Sequence, residues 1–234
     1  MNDHLSKQFD NELEALRSQV LQMGGLVEAQ VRGAIQAFSN GNLSLADQVV
    51  ETETRVNTFE VDIDTDCSQI IVKRQPAATD LRLIMAVTKT VTDLERIGDE
   101  AHKIARMARQ IHERGVADSG RFANIRHTGD AAVNMLRQAL DAFARLDVQD
   151  AMRIITEDRA IDIEFKSVIR QLITYMMEDP RTISTALDII WIAKAIERIG
   201  DHAKNICEYV IYIVKGTDVR HTKVQFPEVQ PDKV

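Results

Sequence analysis

The chain has 234 residues and a formal net charge of −7, with 44% hydrophobic and 28% charged residues. This balance is typical of a globular protein, and the acidic charge argues against general binding to nucleic acid or anionic lipid, since both attract basic surfaces. No apolar run reaches the length of about 18 residues that a spanning helix needs. The N-terminal residues lack the basic and apolar regions of a signal peptide. We therefore expect a cytoplasmic protein.

The low content of aromatic residues and helix breakers favours an all-helical protein. Aromatics make up 5% of the chain, which has 10 glycines and 4 prolines. The two cysteines, Cys67 and Cys207, are too far apart for a close-spaced metal motif. They indicate buried thiols in a reducing compartment.

The first two predicted helices are separated by a short turn. Apolar residues at steps of three and four predict a helix over residues 5–39, with a glycine pair at 24–25 that allows a bend or a close helix contact. Asn40-Gly41-Asn42 is typical of a turn, and a second helix is predicted over residues 43–74. Pro76 ends it, because proline lacks the N–H that a helix interior requires.

The third helix is predicted over residues 81–113. Thr79 or Asp80 is the expected N-cap, since short polar side chains accept hydrogen bonds from the first free N–H groups. Gly115 is the expected C-cap, because glycine adopts the left-handed conformation without steric cost.

The pattern then repeats in the second half of the chain. A fourth helix is predicted from about residue 119 to residue 145, a fifth over residues 148–177 and a sixth over residues 181–215. Pro180 separates the last two. The remaining residues, 217–234, lack periodicity and are expected to form a flexible tail.

The two halves are related by internal duplication. Ala34–Phe38 reads Ala-Ile-Gln-Ala-Phe, and Ala139–Phe143 reads Ala-Leu-Asp-Ala-Phe. The same offset relates further positions along the second and fifth predicted helices, and the prolines that follow these helices also correspond. The fold class predicted is therefore all-α, with two tandem antiparallel three-helix bundles over residues 1–116 and 117–216.

One pentapeptide occurs in both halves. Glu95-Arg96-Ile97-Gly98-Asp99 recurs as Glu197-Arg198-Ile199-Gly200-Asp201. Residues i and i+4 share a helix face, so each copy presents two carboxylates together, nearly opposite the apolar stripe. Each like-charged pair costs a helix a few tenths of a kcal/mol, about as much as an opposite pair contributes. A cation site, a docking face for a basic partner and a merely solvated face all fit this pattern. Arg96 and Arg198, beside each pair, are equally compatible with orienting these carboxylates, meeting an acidic partner or ordinary exposure.

Further polar groups flank the apolar stripes of the second and fifth helices. They are Glu53, Asn57, Glu60 and Asp64 on the second helix, and Asp158 and Asp162 on the fifth. They could meet the pentapeptide carboxylates across a helix seam, or form a solvated edge. Clustered carboxylates suit Mg, Ca, Mn or Fe, and the chain has too little clustered sulfur or imidazole to specify Zn or Cu.

The chain resembles the PhoU family. The segments that carry the resemblance are Gln75-Pro76-Ala77-Ala78-Thr79-Asp80-Leu81-Arg82 and Asp93-Leu94-Glu95-Arg96-Ile97-Gly98-Asp99, together with the duplication. The resemblance covers about residues 5–215. The second half departs from it, because Pro180 is followed by Arg-Thr-Ile-Ser rather than by a segment with Asp-Leu-Arg.

The resemblance implies a non-enzymatic regulator of phosphate homeostasis. Such a protein couples the phosphate-specific ABC transporter to a sensor histidine kinase, restrains phosphate uptake and keeps the phosphate-starvation (Pho) regulon off when phosphate is plentiful. It acts at the inner face of the membrane through these partners and commonly forms a homodimer. Multinuclear iron or zinc, with magnesium or manganese still open, is expected at the acidic motifs. The metal candidates are Glu95, Asp99, Glu197 and Asp201, with Glu53, Asn57, Glu60, Asp158 and Asp162 as secondary candidates.

Two other hypotheses remain open. A carboxylate-bridged oxidase or metal-storage protein would use inward Glu and Glu-x-x-His groups. Asp99-x-x-His102 is similar to that motif, but Lys204 stands at the matching place of the second copy, and the predicted carboxylates face outward. A helical scaffold with solvated acidic faces is the other hypothesis. The six histidines are scattered and expected at the surface.

Overall fold

The computed structural model describes residues 2–115 and 123–220, which fold into six α-helices without a strand. The helices are α1 (Asn2–Asn40), α2 (Leu43–Arg74), α3 (Ala78–Glu113), α4 (Ala123–Arg145), α5 (Val148–Glu178) and α6 (Ile183–Lys215). A 3-10 turn at Pro180–Thr182 joins the last two helices. The predicted all-α fold of two three-helix units is confirmed. The predicted boundary at residues 116 and 117, and the tail beyond residue 220, lie outside the described residues.

The turn between α1 and α2 has the conformation that its sequence predicts. Gly41 adopts a left-handed φ of 67°. Asn42 caps α2, since its Oδ1 accepts a hydrogen bond from the Leu45 N–H at 3.1 Å. At the other end of α2, Gln75 takes a φ of 47° and leads into Pro76, which cannot continue the helix.

The beginning of α3 corrects the prediction of a side-chain cap. The helix begins at Ala78, so Thr79 and Asp80 lie inside its first turn. Ala77 is the N-cap, because its extended backbone lets its carbonyl accept from the Leu81 N–H at 2.8 Å. Asp80 still stabilises this end, since a carboxylate in the first turn meets the positive end of the helix dipole.

The later helix ends use local groups. Arg114 is the C-cap of α3, and Gly115, the predicted cap, follows it with a φ of 73°. Asp147 caps α5 by accepting from the N–H groups of Gln149 and Asp150 at 3.0 and 3.1 Å. These caps satisfy backbone groups that have no partner within the helix.

The glycine pair of α1 serves a close helix contact. The helix runs through both residues, and a Cβ on Gly24 would lie 2.6 Å from Leu140 Cδ2 of α4. Gly129 of α4 is equally close to α1, because its Cβ would lie 2.5 Å from Ile35 Cδ1. Of the two predicted roles for the pair, close contact between helices is therefore the observed one.

One hydrophobic core joins the two units. Its buried side chains come from all six helices, and α3 and α6 contribute the largest share at the centre. The contacts Lys89–Tyr212, Glu100–Arg198 and Arg114–Asp188 pair rising residue numbers on α3 with falling numbers on α6. The two central helices are therefore antiparallel. None of the described helices combines the length and low charge that crossing a lipid bilayer requires.

Candidate functional site

The two pentapeptides lie at the rim of the hydrophobic core. Ile97 and Ile199 at their centres are fully buried. Their arginines are exposed, Asp201 is exposed, and the other three carboxylate residues are partly buried. The carboxylates therefore lie outside the apolar interior, as the spacing predicts. This placement removes the basis for an inward di-iron site.

The glycine of each pentapeptide lets a neighbouring helix approach. A Cβ on Gly98 would lie 3.2 Å from Gln30 Oε1. On Gly200 it would lie 3.1 Å from Ile161 Cδ1 and 3.3 Å from Asp158 Oδ1. Because these separations are tight for a side-chain carbon, the glycines help to bring polar groups of adjacent helices beside the pentapeptide carboxylates.

The first acidic set comprises Glu60 and Asp64 of α2 with Glu95 and Asp99 of α3. Burial, followed by the charges of Asp99 and Glu60, raises the pKa of Glu95. Burial also raises the pKa of Glu60, with smaller contributions from Asp64 and Asp99. Carboxylates of two helices therefore lie near enough across one seam for their charges to affect one another's pKa, a juxtaposition that the sequence left open.

The second acidic set comprises Asp158 and Asp162 of α5 with Glu197 and Asp201 of α6. Although Asp201 is exposed as a residue, partial burial of its carboxyl group against α5 raises its pKa, and the charges of Glu197, Asp158 and Asp162 raise it further. Lys204 Nζ donates to Asp158 Oδ2 at 3.1 Å. Lys194 donates to Glu197. Two lysines therefore offset part of the negative charge of this set.

The secondary candidates Glu53 and Asn57 occupy other positions on α2. Glu53 pairs with Nδ1 of His102. Burial, and then the charges of Arg106 and Lys103, lowers the pKa of this histidine. Asn57 is exposed. Glu53 and His102 therefore form a contact between α2 and α3 that does not include the carboxylates of the first acidic set.

The donor chemistry of both acidic sets suits a hard cation, since the ligands offered are carboxylate oxygens that repel one another. Within residues 2–115 and 123–220, however, no group of three or more His, Cys, Asp or Glu side chains is positioned to hold a metal ion. Side chains of either set would have to rotate toward a common point to ligate one. Metal binding by Glu95, Asp99, Glu197 and Asp201 stays a prediction.

A polar network between α3 and α6 was missed by the sequence analysis. Asp93 is buried, and its Oδ1 lies 2.6 Å from Nδ1 of His202 and accepts from Nδ2 of Asn205 at 3.1 Å. Arg198 of the second pentapeptide donates to Glu100 Oε1 at 3.1 Å. These contacts link the two units directly beside both pentapeptides. The expectation that the histidines are surface residues is therefore wrong for His102 and His202, which are both partly buried and paired with a carboxylate.

The sequence contains a pattern that could have revealed this network. Asp93 and Glu100 stand in register with Ile97 and Ile104, at steps of four, three and four. Charged residues on an apolar stripe require partners when buried. The complementary stripe on α6 is Arg198, His202, Asn205 and Tyr209, which also steps by four, three and four.

The fold and the site together define a class of proteins built from two three-helix units, each with an acid-x-x-x-Asp motif at the rim of a shared core. The family model described as the PhoU domain matches residues 20–108 and 125–210, once in each unit. The chain belongs to the PhoU domain family.

Relatives that match this chain over most of their own length carry names from phosphate transport. A phosphate-specific transport system accessory protein PhoU homolog of Pseudomonas putida is 53% identical over 221 residues, covering 94% of this chain and 86% of the relative. The corresponding protein PhoU of Escherichia coli K12 is 48% identical over 221 residues, covering 94% of this chain and 91% of the relative.

Solved structures have the same fold. PhoU from Pseudomonas aeruginosa, for which a crystal structure is known, is 50% identical in sequence. The two structures match with a TM-score of 0.86 over 89% of this chain and 100% of that chain. The phosphate transport system regulatory protein PhoU from Streptococcus pneumoniae is 26% identical, with a TM-score of 0.83, and covers 90% of this chain and 99% of that chain.

Proposed function

We propose that this chain is a non-enzymatic accessory protein of a phosphate-specific transport system. It couples the ABC transporter to a sensor histidine kinase, restrains phosphate uptake and represses the phosphate-starvation regulon when phosphate is plentiful. The observation that carries the proposal is sequence similarity. Over 94% of its length, the chain is about half identical to proteins named for that transport system. The chain acts at the cytoplasmic face of the membrane through these partners.

The two acidic sets supply the interaction chemistry of this proposal. Each set gathers carboxylates from two helices, and in each set burial, followed by neighbouring negative charges, raises the pKa of a pentapeptide carboxylate. A basic surface on the transporter ATPase or the kinase, or a bound cation, would relieve this repulsion. One set belongs to each three-helix unit, so each can meet a different partner.

The proposal is tested in a strain of the source organism that lacks this chain. Reintroduced wild-type protein should repress alkaline phosphatase in high phosphate, whereas Glu95→Gln with Asp99→Asn should leave the enzyme derepressed. The matched control is Asp10→Asn with Glu14→Gln, an exposed acidic pair at the same spacing on α1. Normal repression by the Glu95 and Asp99 variant would exclude a role for the first set.

The proposal includes a homodimer as the working form. Sedimentation equilibrium of the purified chain measures its mass directly. A mass twice that of the 26.4 kDa chain is expected. A mass of one chain at micromolar concentration would remove the dimer from the proposal.

A further inference from the structure

An open groove of about 520 Å³ lies between α4 and α5. Its apolar lining comes from Ala131 and Met135 of α4 and from Ala160 and Ile161 of α5. Ile163 also lines it and is 56% exposed. The volume falls in the range of about 300–1,000 Å³ that is common for binding pockets, which combine apolar walls with a few polar side chains.

The groove lies on the face of α5 opposite the second acidic set. Each residue turns an α-helix by about 100°, so residues two positions apart point about 160° apart. Asp162 of the acidic set stands two positions after Ala160 and two positions before Glu164, and both of these residues line the groove. The groove is therefore a surface separate from the carboxylates of that set.

The internal duplication gives the groove a counterpart in the first unit. A Cβ on Gly24 of α1 would meet Leu140 of α4, and a Cβ on Gly129 of α4 would meet Ile35 of α1. Gly129 follows Gly24 by 105 positions, and Leu140 follows Ile35 by the same number. The first residues of α2 and α5 are separated by this offset as well. The structure thus shows which residues of the two units correspond.

At this offset, the first unit has large apolar side chains where the second unit has the groove. Leu26 and Phe59, which both pack against the core, correspond to Ala131 and Glu164. The second unit therefore has a methyl group in place of a branched alkyl group and a carboxylate in place of a phenyl ring. The groove lies where the first unit places these two side chains, so it suits an apolar group of similar shape.

Two further replacements open the groove and extend its apolar surface. Ala160 stands where the first unit has Arg55, and the exposed Ile163 stands where it has Thr58. Both changes put an apolar side chain in place of a polar one at the exposed side of α5. Exposed apolar side chains that cluster mark interaction surfaces, whereas single ones do not.

The charged groups that line the groove favour a cationic ligand. They are Glu157 and Glu164, with His127 as a further titratable side chain. Arg153 donates to Glu157 Oε1 at 2.6 Å. Within residues 2–115 and 123–220, Glu164 forms no hydrogen bond or ion pair. An unpaired carboxylate beside an apolar groove can be neutralised by a lysine or arginine of a bound partner.

We propose that the α4–α5 groove binds a segment of a partner protein that inserts an aromatic side chain beside Ala131 and Met135 and places a lysine or arginine against Glu164. A phenyl ring suits the groove because Phe59 packs at the corresponding place of the first unit. Methionine also makes favourable contacts with aromatic rings. Aromatic side chains in such pockets are frequent energetic centres of interfaces. The inference goes beyond the proposed function and does not depend on the acidic sets.

The probe is a labelled synthetic peptide of about ten residues, with phenylalanine and leucine at its centre and lysines on both sides. Two matched peptides carry serine in place of the two apolar residues, or glutamate in place of every lysine. Fluorescence anisotropy measures the affinity of the full chain for each peptide. The first peptide should bind at least about tenfold more tightly than either matched peptide, and its affinity should fall as salt is added.

Substitution in the groove tests the same contact from the side of the protein. Ala131→Leu with Glu164→Phe gives the second unit the side chains of the first. This variant, folded by circular dichroism, should lose at least about tenfold in affinity because its own side chains fill the groove. Glu164→Gln leaves the groove open and should weaken binding and reduce its salt dependence. The matched control is Glu178→Gln, which removes an exposed carboxylate of α5 outside the groove and should leave the affinity unchanged.

Nuclear magnetic resonance of labelled methionine methyl groups locates the bound peptide. The Met135 resonance should shift on addition of the first peptide, because an aromatic ring then lies beside this side chain. Met177 serves as the internal control, since it is 80% exposed and lies outside the groove. Its resonance should not shift.

Several results would overturn the inference. They are no saturable binding of the first peptide, undiminished binding by the Ala131 and Glu164 variant, and a shift at Met177 without one at Met135. An oligomer that this variant dissociates would assign the groove to a second copy of the chain, and tighter peptide binding on Phe226→Ser would assign it to the chain's own C-terminal segment. If the double variant does not fold, Glu164→Gln and the matched peptides still decide the outcome.

Discussion

Individual carboxylates at the pentapeptides are held in positions where their charge opposes folding. The pKa of Asp201 is raised by burial and by Glu197, Asp158 and Asp162. A carboxyl group whose pKa is higher in the folded than in the unfolded state binds its proton more tightly in the fold. Its cost is therefore absent below the unfolded pKa and develops as pH rises through the folded pKa. Residues that oppose stability at neutral pH are candidates for function.

Neutralising Asp201 should stabilise the protein at neutral pH. We expect Asp201→Asn to raise the free energy of unfolding by a few tenths of a kcal/mol, about the size of a screened like-charge interaction on a helix. The gain should vanish near pH 3.5, about where the unfolded carboxyl is itself protonated. Thermal unfolding at both pH values measures this. A loss of stability at pH 7 would instead make the carboxylate a structural group.

The cysteines should be inert in the folded chain. Both are free and buried, and burial raises the pKa of Cys67 to about 12. Burial raises the pKa of Cys207 as well. Since the thiolate is the reactive form, a thiol reagent should label neither residue at pH 8 until the protein is unfolded. Rapid labelling of native protein, followed by mass spectrometry, would contradict this burial.

At the level of helices, close approach explains which glycines the chain requires. Gly24 and Gly25 are adjacent in α1, yet a Cβ on Gly24 would lie 2.6 Å from Leu140 Cδ2, whereas a Cβ on Gly25 meets nothing within 4 Å. The two positions therefore form a matched pair. They share a helix and intrinsic propensity, and differ only in their neighbours.

Substitution of each glycine by alanine separates the effect of helix propensity on stability from the effect of packing between α1 and α4. Gly25→Ala should stabilise the protein by about 1 kcal/mol, the ordinary difference in helix propensity. Gly24→Ala should destabilise it, because the overpacking cost of about 1–3 kcal/mol exceeds that gain. Chemical denaturation measures both variants. Equal effects at the two positions would mean that α1 and α4 are not in close contact at Gly24.

At the level of helices, the second feature after the glycines of α1 is the contact between α3 and α6. Asp93 accepts from Asn205 inside this contact, beside His202. Asp93→Ala should cost about 1–3 kcal/mol, because it leaves the partly buried amide of Asn205 without its acceptor. A double-mutant cycle with Asn205→Ala isolates the pair, and a coupling free energy near zero would show that the two side chains do not stabilise the contact between units.

For the molecule as a whole, the sequence predicted the architecture because helical periodicity, two prolines and the turn at Gly41 are local features. The offset between Ala34–Phe38 and Ala139–Phe143 then indicated that the two halves arose by duplication. The sequence did not predict the network of Asp93 and His202, since the register between two helices from different units depends on tertiary packing. The start of α3 was missed for a simpler reason, because a backbone carbonyl replaced the expected side-chain cap.

Metal content is a property of the whole molecule. It can be tested because the predicted ligands can be neutralised by substitution. Protein purified without a metal-affinity tag should carry iron, zinc or another cation, detected by mass spectrometry. The quadruple variant neutralised at Glu95, Asp99, Glu197 and Asp201 should be folded and free of it. Wild-type protein without metal would leave the acidic sets with partner docking as their proposed role.

The most direct test of the proposed function is the affinity of this chain for the ATPase subunit of the phosphate transporter. Calorimetric titration should show binding by the wild-type chain and by the control variant Asp10→Asn with Glu14→Gln. The quadruple variant, folded by circular dichroism, should lose it. Undiminished binding by the quadruple variant would contradict the account, because the transporter would then recognise a surface other than the two acidic sets.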